Sequence, residues 1–324
     1  LVNRYSPAPA GVFPAGHRGL YKPGRSTYDN GGLERPDFAA RKQGIMYATP
    51  TDASTVMLLR PCRAEGVKDI EVLMVLRNRK SRFVPGYHVY PGGILDPEDY
   101  EPGVERFCRG IDRDRASAIL PDMSRPEKAL GAWVAGIRES FEEVGMLIAR
   151  MRDGSPVTIR TEEERRRFCG YRRALNRGEM KFSEMLEKED LVLPVDRLHY
   201  FSHWITPEPL PLRYDVRFFV AAAPADQAVI HDGVELTEHL WLRPSAALEE
   251  YEKGRIGMVL PQIMTLVDIS RFRTVEEAVT AAERRHVPAI LTKIRRIGDA
   301  DVEVMPDGTA YERRPPVYSW PKKG

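Results

Sequence analysis

Hydrophobic residues fall along the chain in short runs separated by polar turns, with helical spacing between some of them. Ser54–Leu59 and Ile70–Leu76 are apolar runs joined by a polar turn around Gly66, so both read as strands. Tyr87–Tyr90 is a further short strand that stops at Pro91-Gly92-Gly93. Strands return at His199–Ile205, Arg213–Ala222 and His239–Arg243, and Val302–Tyr311 reads as a hairpin turning at Pro306-Asp307-Gly308. Apolar positions three and four apart predict a helix through Trp133, Ile137 and Phe141 to a stop at Gly145. Its start is placed at Ser124: the hydroxyl caps, Pro126 sits in the first turn, and Glu127 completes a capping box. A short helix is expected around 113–120, a polar helical stretch over 161–190, and further helices near Ser245–Lys253 and Pro261–Ile269. In Thr161-Glu162-Glu163-Glu164-Arg165-Arg166-Arg167 the acids stand where a helix dipole favours them, and the charges read as a solvated face.

Composition narrows the class. A chain of 324 residues holds one large domain or two small ones. With 42% hydrophobic and 30% charged residues it should fold as a soluble globule. Net charge is only +2, so nothing pulls the whole protein toward nucleic acid or an anionic membrane. No apolar run approaches the roughly 20 residues of a membrane helix. The start does not read as a signal peptide, and the final Pro-Lys-Lys-Gly is not a peroxisomal signal, so a cytoplasmic location is the expectation. The first residue is Leu1, which leaves the native start open. Cys62, Cys108 and Cys169 are odd in number and form no CxxC pair, which suggests neither a disulfide framework nor a zinc site. Residues 1–45, rich in Pro, Gly and Tyr without a period, read as an extended or disordered arm. Residues 46–270 read as the main domain and 271–324 as a C-terminal extension.

The stretch Arg138-Glu139-Ser140-Phe141-Glu142-Glu143-Val144-Gly145 carries the chemistry. On a helix, residues three and four apart lie within about 60° of a common direction. Glu139, Glu142 and Glu143 therefore form one dense anionic corner. Like charges at that spacing repel by a few tenths of a kcal/mol per pair, and acids near a helix C-terminus oppose its dipole. Hard divalent cations such as Mg²⁺ take carboxylate oxygens and would relieve that repulsion. The corner reads as a metal site, and the apolar residues around it press the helix into a core. A solvent-facing acidic helix end is the bland alternative.

The same stretch resembles the second half of the Nudix box, REUxEExGU, and Pro91-Gly92-Gly93 resembles its opening. One departure is large. Arg138 lies 45 positions after Gly93, where the uninterrupted box has 14, an excess of 31. The box's intermediate glutamate would fall at Asp99, and Ser140 stands where an aliphatic residue is usual. An insertion of this kind, over 94–124, is similar to the Nudix branch that includes the mammalian peroxisomal acyl-CoA diphosphatase. Trp204-Ile205-Thr206-Pro207, Arg213–Phe219 and Glu235–Leu248 also resemble that branch, over roughly residues 50–270.

The resemblance implies an α+β Nudix fold, a mixed sheet sandwiched between helices, with helical insertion. It implies hydrolysis of a nucleoside diphosphate linked to another group. CoA or acyl-CoA is the foremost small-molecule substrate, with Mg²⁺ or Mn²⁺ as cofactor. Under it Glu142 and Glu143 are the main metal ligands, Glu139 binds metal and helps deprotonate water, the Gly92 carbonyl adds a ligand, and Arg138 orients the carboxylates. Arg77, Arg79 and Arg82 are candidates for phosphate contact, with Arg213 and Arg217 further cations for a 3′-phosphate. Glu238 and Glu235 are candidate late acids. His199 and His203 read as satisfied histidines, Trp204 and Trp241 as core. Nucleotide-sugar, ADP-ribose or dinucleotide hydrolysis is the alternative within the class, and a non-catalytic nucleotide-binding regulator the alternative outside it. A homodimer is left open.

Overall fold

The computed structural model describes residues 47–81, 83–208, 210–230, 235–297 and 300–314. The expected N-terminal arm and Arg82 lie outside the described residues. The elements run, in chain order, β1 (Thr51–Pro61), β2 (Ile70–Arg77), β3 (His88–Val89), β4 (Gly92–Ile94), β5 (Cys108–Arg109), α1 (Arg113–Ile119), α2 (Pro126–Val144), β6 (Arg150–Met151), α3 (Glu162–Asn176), α4 (Phe182–Lys188) and β7 (Leu191–Pro194). They continue with β8 (His199–Ile205), β9 (Tyr214–Ala222), β10 (Leu236–Leu242), α5 (Pro244–Glu252), α6 (Leu260–Ile269), α7 (Val275–Glu283), β11 (Ala289–Leu291), β12 (Lys293–Ile297), β13 (Ala300–Val304) and β14 (Ala310–Glu312).

The main sheet runs β10-β2-β1-β9-β8-β11, with β3 beside β2 and β4 beside β1. It is mixed: β1 and β9 are parallel from Thr51↔Tyr214 to Leu59↔Ala222, whereas β1–β2, β1–β4 and β8–β9 are antiparallel. A strand buried on both faces needs apolar residues on both, which is why β1 reads as a continuous run rather than an alternation. Val56 and Leu58 join one core with Trp133, Ile137 and Phe219. Met57 and Leu59 join the other with Phe218, Leu248 and Leu266. Helices α2, α3 and α4 thus cover one face, and α5, α6 and α7 the other. This is the helix–sheet–helix arrangement expected.

Helix α2 lies close on the sheet. A Cβ at Gly136 would stand 3.0 Å from Val56 Cγ2, and Trp133 Nε1 donates to the Leu198 carbonyl at 2.9 Å. Gly145 ends the helix in the left-handed conformation, φ 73°, as expected. The start differs from the expectation. The cap position is Arg125, extended at φ −149°, and no side chain caps it. Proline excludes the helical conformation from the residue before it, so Pro126 moves the boundary past Ser124 and the capping box does not form. A capping box does form at α3, where Thr161 and Glu164 exchange side-chain and backbone hydrogen bonds at 3.1 and 2.8 Å.

Segment 94–124 leaves β4 through two short 3-10 turns, Pro97–Tyr100 and Val104–Phe107, before β5 and α1. Its helix α1 falls where the short helix around 113–120 is expected. The C-terminal hairpin forms as read, with Gly308 at φ 90°, and β12 extends it to a three-stranded meander. The three cysteines are free. No helix among the described residues is long and apolar enough to cross a membrane.

Candidate active site

Three elements converge. β4 is held on β1 by backbone pairing, with Gly92 opposite Thr55 and Gly93 opposite Ser54. The last turns of α2 then pass directly over it. Gly92 N donates to Glu143 Oε2 at 2.9 Å. A Cβ at Gly93 would lie 2.4 Å from Glu139 Oε1, so only glycine leaves that carboxylate room. At Gly92 a Cβ would strike the Ser54 carbonyl and the Thr55 backbone, at 2.4 and 2.5 Å. The two glycines are therefore explained by the close approach of strand and helix.

Arg138 organises the carboxylates. Its Nε and Nη2 hold Asp99 in a two-point contact at 2.8 and 2.9 Å, and Nη2 also donates to the Ile94 carbonyl. Nη1 donates to Glu139 Oε1 at 2.8 Å and Glu142 Oε2 at 3.2 Å. Both Arg138 and Asp99 are buried. Asp99 stands where the box's intermediate acid was expected, at the far end of the insertion's first turn, and it holds Arg138 rather than facing the cavity.

The electrostatics are those of crowded, desolvated acids. Burial pushes Glu139 up to about 8, against the pull of Arg138 and helped by Glu142 and Asp99. Burial likewise raises Glu142. Glu143 is pushed well above the usual carboxylate range, by burial first and by Glu139 and Glu235 next. A set of carboxylate oxygens whose charges resist both burial and one another suits a hard divalent cation, so the donor chemistry fits the metal expected of this box.

A cavity of about 340 Å³ opens from these acids. Gly92, Gly93, Glu139 and Glu143 line one part of it, and Trp204, Pro207, Tyr214, Val216, Phe218 and Val259 make much of the rest. Phe83 and Tyr214 meet edge to face at 4.6 Å in its wall. Arg77 lines it too, paired with Glu235 and donating to the Phe83 carbonyl. Arg79 is exposed and does not line the cavity, and Arg82 lies outside the described residues. Glu238 sits opposite Leu76 on β10 and is not a lining residue, whereas Glu235 is. Glu235 immediately precedes β10, whereas Glu238 lies within it beyond a register shift.

Arg217 and Arg213 are committed elsewhere. Arg217, fully buried, is caged by Asp52, Asp122 and Asp215. His203 pairs with Asp215, and His199 Nδ1 lies 3.4 Å from Glu283. Asp122, His203 and Asp215 could group around a cation, but Arg217 already supplies one. Arg213 donates to the carbonyls of Ala48 and Thr206. Trp204 is buried as expected yet also lines the cavity.

Ser54, Gln262, Glu303 and Arg313 line the cavity without any sequence signal having marked them together. Ser54 and Thr55 are the exception in part, being two hydroxyls inside an otherwise apolar strand. Among the described residues, Ser54 Oγ and Gln262 Oε1 are buried without a hydrogen-bond partner.

Comparison with known proteins identifies the family. A family model described as the NUDT19 Nudix domain matches residues 47–271. Acyl-coenzyme A diphosphatase NUDT19 of Xenopus laevis is 25% identical over 284 residues, spanning 79% of this chain and 75% of that protein. The human protein of that name is 26% identical over 245 residues, spanning 67% of this chain and 64% of its own length. The crystal structure of a NUDIX hydrolase from Alicyclobacillus acidocaldarius superposes with a TM-score of 0.57 at 26% identity, covering 72% of this chain and 96% of that one. With the box on α2 and β4 and the mixed sheet beneath it, the chain belongs to the NUDT19 Nudix family and is a Nudix hydrolase.

Proposed function

We propose that the protein is a metal-dependent diphosphatase acting on CoA or acyl-CoA. The products would be 4′-phosphopantetheine, or its acyl form, and adenosine 3′,5′-bisphosphate. One observation carries the reading: a single cavity joins Glu139 and Glu143 of α2 to a largely apolar trench. A charged diphosphate and an apolar arm of the same substrate need that combination. The names of the NUDT19 relatives point the same way.

Under this reading Glu139, Glu142, Glu143 and the Gly92 carbonyl hold Mg²⁺ or Mn²⁺. A divalent ion there supplies the positive charge that the diphosphate requires and makes coordinated water more acidic. The chain's own residues do the rest. Glu139 Oε1 is engaged by Arg138, which leaves Oε2 to take a proton from water. Arg138, anchored by Asp99, keeps Glu139 and Glu142 in one orientation. Glu143 is fixed by the Gly92 amide.

The test is a panel of CoA, acyl-CoA, ADP-ribose, NADH and diadenosine substrates with Mg²⁺ or Mn²⁺, products resolved by chromatography. CoA compounds should be cleaved at the diphosphate. Glu142→Gln and Glu143→Gln should each lower kcat by two decades or more, about 3 kcal/mol of barrier. Activity within threefold of wild type at saturating metal would remove the glutamates from the chemistry. Turnover of ADP-ribose or a dinucleotide with CoA untouched would replace the substrate and keep the reaction class.

A further inference from the structure

Part of the cavity wall comes from residues beyond the matched family segment. Glu303 on β13 and Arg313, just past β14, both line it. Pairing of Val302 with Glu312 and Glu303 with Tyr311, together with Arg313 N donating to the Asp301 carbonyl at 3.1 Å, sets Arg313 opposite Asp301. Glu303 and Arg313 are then diagonal neighbours on one face of the ribbon. The ribbon is fastened in place. Arg314 donates to the Tyr251 carbonyl at 2.9 Å, pairs with Glu252 at 3.0 Å and lies over the Tyr251 ring, while Tyr87 Oη donates to the Arg314 carbonyl at 2.8 Å. Glu303, 8% exposed, accepts from Thr292 Oγ1. Gln262, at the first turn of α6 and 7% exposed, brings to the same cavity the unpartnered Oε1 noted above.

These three side chains offer a mixed polar set within an apolar trench. A carboxylate and an amide oxygen accept, and a guanidinium donates. A phosphate would gain from Arg313 and lose to Glu303 beside it. A secondary amide suits both, its N–H meeting an acceptor and its C=O meeting the guanidinium. We propose that the C-terminal ribbon reads an amide-bearing, otherwise aliphatic arm of the substrate, with Glu303 and Gln262 accepting from amide N–H groups and Arg313 donating to an amide carbonyl. The inference deepens the CoA reading and rests on it for the identity of the arm, since the pantetheine portion carries such amides. Burial raises the proton affinity of Glu303, while the Thr292 hydrogen bond and then Arg313 oppose that rise.

The test uses the full chain with Arg313→Ala, Arg313→Lys, Glu303→Leu and Glu303→Gln, assayed on CoA and on ADP-ribose, which lacks the amide arm. Arg313→Ala and Glu303→Leu should raise KM for CoA about tenfold, and by more than for ADP-ribose, with the conservative variants recovering part of the loss. Arg313 is exposed, so its variants are expected to fold even if Glu303→Leu does not. Unchanged KM for CoA in Arg313→Ala, or equal losses on both substrates, would overturn the proposal. If the wild type cleaves neither compound, the diphosphatase reading fails by itself. Calorimetric titration with CoA then decides the ribbon: a tenfold weaker Kd in Arg313→Ala keeps the proposal, and equal or absent binding rejects it.

Discussion

Single side chains explain how the site tolerates its own charge. Arg138 meets Asp99, Glu139 and Glu142 at once, so the acids are held by one guanidinium rather than dispersed in solvent. The spacing that puts the three glutamates on one helix face is local, and so it was legible in the sequence. Gly92 and Gly93 were marked through the resemblance to the box, since the close approach that demands them joins distant parts of the chain. Gln262, Glu303 and Arg313 were not legible, because packing brings them together from α6 and two strands of the ribbon. His88 is a residue of another kind. It is fully buried on β3, and burial lowers it from 6.5 to about 4. The folded value lies below the unfolded one, so the unfolded chain takes a proton that the folded chain refuses. Stability from this residue is complete above pH 6.5 and is lost as pH falls toward 4. The total is about 3 kcal/mol. Unfolding free energies from urea titrations at pH 7 and 4.5 should therefore differ by about 2–3 kcal/mol more in wild type than in His88→Leu. Equal pH dependence in the two proteins would show that His88 is not the group involved.

At the scale of elements, the insertion is more than a spacer between two halves of a motif. Its first turn returns Asp99 beneath α2, 39 residues before the arginine it holds. Removing Asp99 leaves a buried guanidinium without its two-point partner. Asp99→Ala should cost about 3 kcal/mol in urea denaturation, and it should lower activity by releasing Arg138 to pull on the glutamates. A midpoint unchanged from wild type would mean that Glu139, Glu142 and the Ile94 carbonyl satisfy Arg138 alone. Element type was legible wherever a period was clear, as in α2 and β9. The start of α2 was misread because two local rules competed there. The capping preference of Ser124 yields to the steric exclusion that Pro126 imposes on Arg125. The insertion carried no strong period outside α1, which is why its two 3-10 turns drew no reading of their own.

Taken whole, the molecule is built on one main sheet with a core on each face, and β1 and β9 contribute side chains to both. Damage to one core should therefore be felt by the other. Leu266→Ala, on the face away from the glutamates, should cost about 2–5 kcal/mol. Circular dichroism and tryptophan fluorescence should shift together, since Trp133 lies in one core and Trp204 in the other. Two separated transitions would show instead that the faces unfold independently. The layered architecture was legible through the family resemblance. The contribution of α7 and the ribbon was not, because apolar periodicity does not reveal which distant surface an element will cover.

The parallel pairing of β1 with β9 has a consequence for how the protein is made. Thr51 and Tyr214 are neighbours in the sheet yet far apart in the order of synthesis. The ribosome must therefore release some 160 residues between them before the centre of the sheet can close, and contacts of such separation are slow to find. Until then β1 carries an unpaired edge of Val56, Met57, Leu58 and Leu59, a segment whose composition favours intermolecular association. Nascent chains stalled before Tyr214 should accordingly be the most aggregation-prone species in the life of this protein.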